Sequence, residues 1–195
     1  MKYRDTRHNV GFRVVDEVAR RAGVEFASAP ADALVARLRP AASDAGVLLV
    51  KPLTMMNLSG EAVAALARYY RVALPDLLIV ADDVHLPLGR LRARERGGPG
   101  GHNGFKSVAG HLGTDAFARL RVGVGRGDAR RDLADRVLAT FDGDEQPVIE
   151  DAIQRTADAV ALFVSEGIGA VMNRFNPAVE DEATGNTSPG NNTQS

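Results

Sequence analysis

Four histidines, an acid pair at the end of an apolar run and a glycine-rich loop are where this 195-residue chain could do chemistry. His8 stands in Thr6-Arg7-His8-Asn9, between a cation and an amide, just before an amphipathic segment. An imidazole there is either a capping or surface group at a helix start, or a general base. A base needs a carboxylate to orient its other ring nitrogen. Asp82 is the candidate, because Leu77-Leu78-Ile79-Val80-Ala81 reads as a buried strand that ends abruptly in Asp82-Asp83. An acid on a strand tip points into the crevice where open α/β sheets hold their ligands. The plainer alternative is an acid that starts a loop or caps a helix. Asp82-Asp83-Val84-His85 also offers oxygen and imidazole ligands, so a metal-dependent hydrolase using Asp82, His85 and His102 competes, although the spacing matches no defined metal motif.

The loop Gly97-Gly98-Pro99-Gly100-Gly101-His102-Asn103-Gly104 lets a ligand approach the backbone closely, and a helix N-terminus after it favours an anion. It has neither the Lys-Ser/Thr of a P-loop nor the spacing of a dinucleotide-binding turn. Arg90, Arg92, Arg94 and Arg96 occupy every second position and on a strand would share one face. With Arg119 and Arg121 they form either a basic stripe suited to phosphates or the solvated face of a sheet. Asn57, in Thr54-Met55-Met56-Asn57-Leu58-Ser59-Gly60, sits near a helix N-cap or faces a site as a hydrogen-bonding amide. The methionine pair reads as core filling.

The elements that must hold these groups follow from periodicity. Phe12, Val15, Val18, Ala19 and Ala22 form one stripe of a helix over 11–22, with Asn9 as N-cap and Gly23 as C-cap. Val47-Leu48-Leu49-Val50 is a buried strand stopped by Lys51-Pro52, and 59–70 reads as a helix. Strands are expected at 77–81, 89–96 and 117–124, a short helix near 103–112 and a long helix over 145–166.

Composition narrows the class. A length of 195 residues with 45% hydrophobic content suits one globular domain, and the absence of cysteine excludes disulfide and thiolate chemistry. No apolar run approaches a membrane span or a signal peptide, so the expected compartment is the cytoplasm. The formal charge is −1, and residues 178–195 hold three acids and no base, which leaves the remainder at +2. The domain is therefore expected over 1–177, followed by a disordered acidic and polar tail at 178–195.

Four motifs follow one another along the chain: Tyr3-x-x-Thr6-Arg7-His8-Asn9-Val10-Gly11, Lys51-Pro52-x-Thr54-x-Met56-Asn57-Leu58-Ser59-Gly60, Asp82-Asp83-x-x-Leu86-Pro87-x-Gly89 and Gly100-Gly101-His102-Asn103-Gly104-x-Lys106-Ser107. Together they resemble the bacterial peptidyl-tRNA hydrolase family. The resemblance implies a monomeric, single-domain α/β fold with a mixed, mostly parallel sheet flanked by helices. It also implies an ester hydrolase that frees peptide from the 3′-terminal ribose of peptidyl-tRNA, with no cofactor and no metal. His8 would activate water, Asp82 would orient it, and Asn57 and Asn103 would position substrate and water. Tyr3 and His102 join the substrate-binding set, and Arg92, Arg94 and Arg121 fall where the family grips tRNA phosphates. His85 stands where family members carry Asp. The family's first, internal strand and its Asn-Pro-Gly loop have no counterpart ahead of Tyr3. A catalytically impaired RNA-binding relative is therefore the alternative function.

Overall fold

The computed structural model describes residues 6–39, 46–125 and 138–176. A 3-10 turn, Arg7–Asn9, leads into helix α1, Val10–Ala22, which buries Val10, Val14 and Ala19 and ends at Gly23. Its polar side is closed by the expected charges, with Arg20 and Arg21 both donating to Glu17. Strands β1 (Ala27–Ala29), β2 (Ala31–Leu38) and β3 (Val47–Pro52) form an antiparallel sheet in that order. The first two strands have no signal in the sequence pattern, because Ala-rich segments lack the large alternating residues that mark a strand. Pairing with β3 and burial of Ala33 and Val35 against Ala62 and Leu66 of helix α2, Ser59–Tyr69, supply what propensity does not.

The second sheet holds β4 (Leu78–Asp83), β5 (Leu91–Arg94) and β6 (Ala118–Gly123) in the order β4-β6-β5. Helix α3, Asn103–Leu112, lies on one face, where Phe105, Val108, Phe117 and Ala81 pack together. On the other face α1 and the long helix α4, Gln146–Phe175, bury Val10, Val14, Leu120, Val122, Ile149 and Ile153. Gly167, at φ 78°, interrupts α4, and the helix resumes beyond the expected end at 166.

The mixed sheet between helices is present, but only β4 and β6 pair in parallel; the other described pairings are antiparallel. The expectation of a mostly parallel sheet is thus corrected for the described residues. Short connections explain it, since the turn from β1 to β2 and the link at 84–90 reverse the chain. The two sheets are not joined: β3 and β4 each pair on one side only among the described residues. Between them lies a cavity of about 2060 Å³, lined by both strands and by Phe12, Val15, Val63 and Phe163, and opening onto His8 and Asp82.

Candidate active site

Asp82 is the penultimate residue of β4 and is 2% exposed. His8 reaches it from the N-terminal turn, Nδ1 lying 2.6 Å from Asp82 Oδ1. Two contacts bring that turn to the strand tip. Gly11 lets α1 lie against β4, since a Cβ there would stand 2.5 Å from the Val80 carbonyl oxygen. Arg7, buried, donates from Nη1 to the Val124 carbonyl at 2.8 Å and grips Glu145 with both guanidinium arms, over the ring of Phe141. Burial pushes the Glu145 carboxyl up, but the hydrogen bonds from Arg7 and from the Asp142 N–H, together with the Arg7 charge, hold it below its ordinary value. The Arg7 backbone N–H also donates to Ala139 at 2.9 Å. His8 is in this way held through its neighbour Arg7 by residues 117 and 138 positions further along the chain.

His102 completes a cluster: its Nε2 is 3.1 Å from the same Asp82 oxygen, and the His8 and His102 ring centroids are 5.2 Å apart. Burial alone would push the Asp82 carboxyl up, yet the hydrogen bonds from His102 and His8 prevail and lower it to about 2. Asp82 is therefore an acceptor only, and the His8 proton must sit on Nδ1. That leaves His8 Nε2 with its lone pair, on a ring that lines the cleft and makes no other hydrogen bond among the described residues.

Asn57 and Asn103 are exposed, line the same cleft and pair with no other described side chain. The segments that carry them pack tightly: a Cβ at Gly104 would lie 2.7 Å from Met56 Sδ, Gly60 N–H donates to Ser107 Oγ at 3.0 Å, and a Cβ at Gly60 would meet the Ser107 carbonyl at 2.2 Å. The arginine stripe divides. Arg92 and Arg94 are exposed on β5, paired in register with Arg121 and Arg119 of β6. Arg119 and Arg121 turn under the glycine loop, Arg119 donating to the Gly98 and Asp115 carbonyls at 3.0 and 2.8 Å. Arg121 binds Asp83 Oδ2 at 3.0 Å and the Gly98 and Pro99 carbonyls at 3.2 Å. Sequence patterns do not reveal this brace, nor Arg7 and Glu145, because each joins residues far apart in the chain. Tyr3 and the tail at 178–195 lie outside the described residues.

His8, Asp82 and His102 could each offer one metal-ligating atom, all within 4.8 Å of one another. A cation would have to displace both hydrogen bonds to Asp82. His85 is exposed and does not belong to this group, so the metal trio of Asp82, His85 and His102 is not assembled.

A family model described as peptidyl-tRNA hydrolase matches residues 1–184. The chain belongs to the peptidyl-tRNA hydrolase family. It is 46% identical over 177 residues to the peptidyl-tRNA hydrolase of Chloroflexus aggregans, covering 90% of this chain and 93% of that one. The peptidyl-tRNA hydrolase of Symbiobacterium thermophilum is 46% identical over 175 residues, with the same coverage. The crystal structure of peptidyl-tRNA hydrolase from Acinetobacter baumannii superposes with a TM-score of 0.83 at 30% identity, covering 90% of this chain and 89% of that one. No helix among the described residues is long and apolar enough to cross a membrane.

Proposed function

We propose that this chain hydrolyses the ester between the peptide and the 3′-terminal ribose of peptidyl-tRNA, releasing both for reuse, as a monomer in the cytoplasm. The observation that carries the reading is the 2.6 Å bond from His8 Nδ1 to a buried, ionised Asp82, with His8 Nε2 left open to the cleft. His8 Nε2 takes a proton from a water, and the resulting nucleophile adds to the ester carbonyl carbon. Asp82 stabilises the imidazolium, which then returns the proton to the departing ribose oxygen. The Asn57 and Asn103 amides supply donors and acceptors for the water and the developing oxyanion. Arg92 and Arg94 meet tRNA phosphates, which fixes register without reading bases and suits an enzyme that serves many tRNAs. Arg121, with its donors on Asp83 and the loop carbonyls, supports this surface from below. The impaired RNA-binding alternative finds no support among relatives that are themselves hydrolases.

The test is release of N-blocked amino acid from N-blocked aminoacyl-tRNA by the full chain and by His8→Ala. The intact chain should turn over, and the variant should lose about a hundred- to ten-thousandfold in kcat while still binding tRNA. Binding without release by the intact chain would overturn the assignment.

A further inference from the structure

His102 has two ring nitrogens and the structure commits both. Nδ1 accepts from the N–H of Gly104 at 3.1 Å and of Phe105 at 3.3 Å, so the imidazole is the N-cap of α3. A nitrogen that accepts from N–H groups carries no hydrogen. The ring proton is therefore on Nε2, 3.1 Å from Asp82 Oδ1, and donates to it. The same oxygen takes the Nδ1–H of His8.

We infer that His102 is a positioning residue: seated by Nδ1 on the start of α3, it donates Nε2–H to Asp82 Oδ1 and fixes that oxygen on His8. The inference rests on the proposed hydrolase reading. The other tautomer would turn an Nδ1 hydrogen on two backbone N–H groups at the start of the helix and leave Nε2 with none for Asp82. Gly104 makes the close seat possible, since a Cβ there would lie 2.9 Å from His102 Cε1 and 3.1 Å from Nδ1.

Among the described residues, no charged side chain hydrogen-bonds to Nδ1. Asp82 faces the ring from β4 and His8 from the N-terminal turn. The Phe105 ring lies tilted against it, centroids 5.0 Å apart, and beyond it the Arg121 guanidinium of β6 lies 4.9 Å from the phenyl centroid. Lys106 of α3 is exposed. Of the two hydrogen bonds that lower the Asp82 carboxyl, the one from His102 weighs more. The loop that Arg119 and Arg121 brace thus delivers a residue that sets the state of the catalytic carboxylate.

His102→Asn separates capping from positioning, because Asn caps a helix well but is too short to reach Asp82. Expected are a melting temperature lowered by no more than a few degrees, since the cap stays and one hydrogen bond to Asp82 goes, a fall in kcat of about 10- to 100-fold and a KM within about twofold of the parent. The acid limb of the kcat/KM profile should move to higher pH, since Asp82 Oδ1 then serves His8 only. A raised KM with kcat preserved would make His102 a substrate ligand and overturn the inference, as would a parental pH profile. A second readout does not depend on turnover. Nitrogen–proton correlation spectra at the pH of the assay should show His102 as the Nε2–H tautomer. An Nδ1–H tautomer overturns the inference even in an active enzyme. The Nε2–H tautomer in a protein that fails to hydrolyse substrate supports the inference and counts against the proposed reaction instead.

Discussion

Asp82 is an ionised carboxylate in a nearly closed site, and its charge is tied to folding as well as to base chemistry. Its folded value of about 2 lies below the ordinary 3.8, so the stabilisation is fully present above 3.8 and is lost as pH falls through about 2. Asp82→Asn has no such charge to lose. Urea titrations at stepped pH should therefore show the parent losing roughly 2 kcal/mol more than Asp82→Asn between those limits, and parallel losses would refute it. At neutral pH the same variant should lower kcat by about a thousandfold or more, because an amide can present its N–H to His8 and impose the wrong tautomer. The pair His8 and Asp82 was legible in the sequence because residue type and strand-tip placement carry the chemistry. Arg7 was not: its partner Glu145 is 138 residues away, and no local pattern announces an ion pair closed by tertiary packing. His102 was visible as a group at the loop exit, but its capping role depends on the path of the α3 backbone.

Elements were readable where periodicity was strong. α1, β3, β4 and α3 agree with the expected segments to within a few residues, each marked by an apolar stripe or run and by Gly or Pro punctuation. β1 and β2 were not, because their pairing partner rather than their composition makes them strands. The edge of β5 is another feature set by tertiary structure. Ala93 N–H donates to Asn176 Oδ1 at 2.7 Å, and Asn176 Nδ2 donates to the Ala93 carbonyl at 2.8 Å, so one side chain past α4 stands in for a neighbouring strand. Asn176→Ala should cost about 1–3 kcal/mol in chemical denaturation, and Asn176→Asp at least as much, because a carboxylate would face the Ala93 carbonyl. An unchanged denaturation midpoint in both would show that water replaces the amide freely. The outer face of the same strand carries Arg92 and Arg94. Replacing both with Ala should raise KM for peptidyl-tRNA and reduce the slope of log affinity against log salt by about 1 for each phosphate no longer neutralised. A parental salt slope would place the phosphate grip elsewhere.

At the scale of the molecule the cavity between the sheets dominates. Close-packed interiors leave few voids larger than a water, and ordinary ligand pockets run to about 1,000 Å³, so a space of about 2060 Å³ between two strand edges is too large for either. Its walls are apolar side chains of α1, α2 and α4 together with β3 and β4, each of which lacks a partner on that side among the described residues. Backbone N–H and C=O groups on such edges are satisfied by an extended segment lying between them. A six-residue apolar strand spans about 20 Å and offers ladder groups on both edges with apolar side chains on both faces. Burial of its apolar side chains gains about 2 kcal/mol each, and each kcal/mol left after the cost of ordering the chain raises the melting temperature of a domain of this size by about 2–4 °C. Extending the chain ahead of Met1 by a six-residue apolar strand and a turn should produce that rise and slow hydrogen exchange at β3 and β4 amides. A Gly/Ser extension of equal length should do neither. Equal melting temperatures and exchange rates for the two extensions would mean that the sheets close on each other without a strand between them.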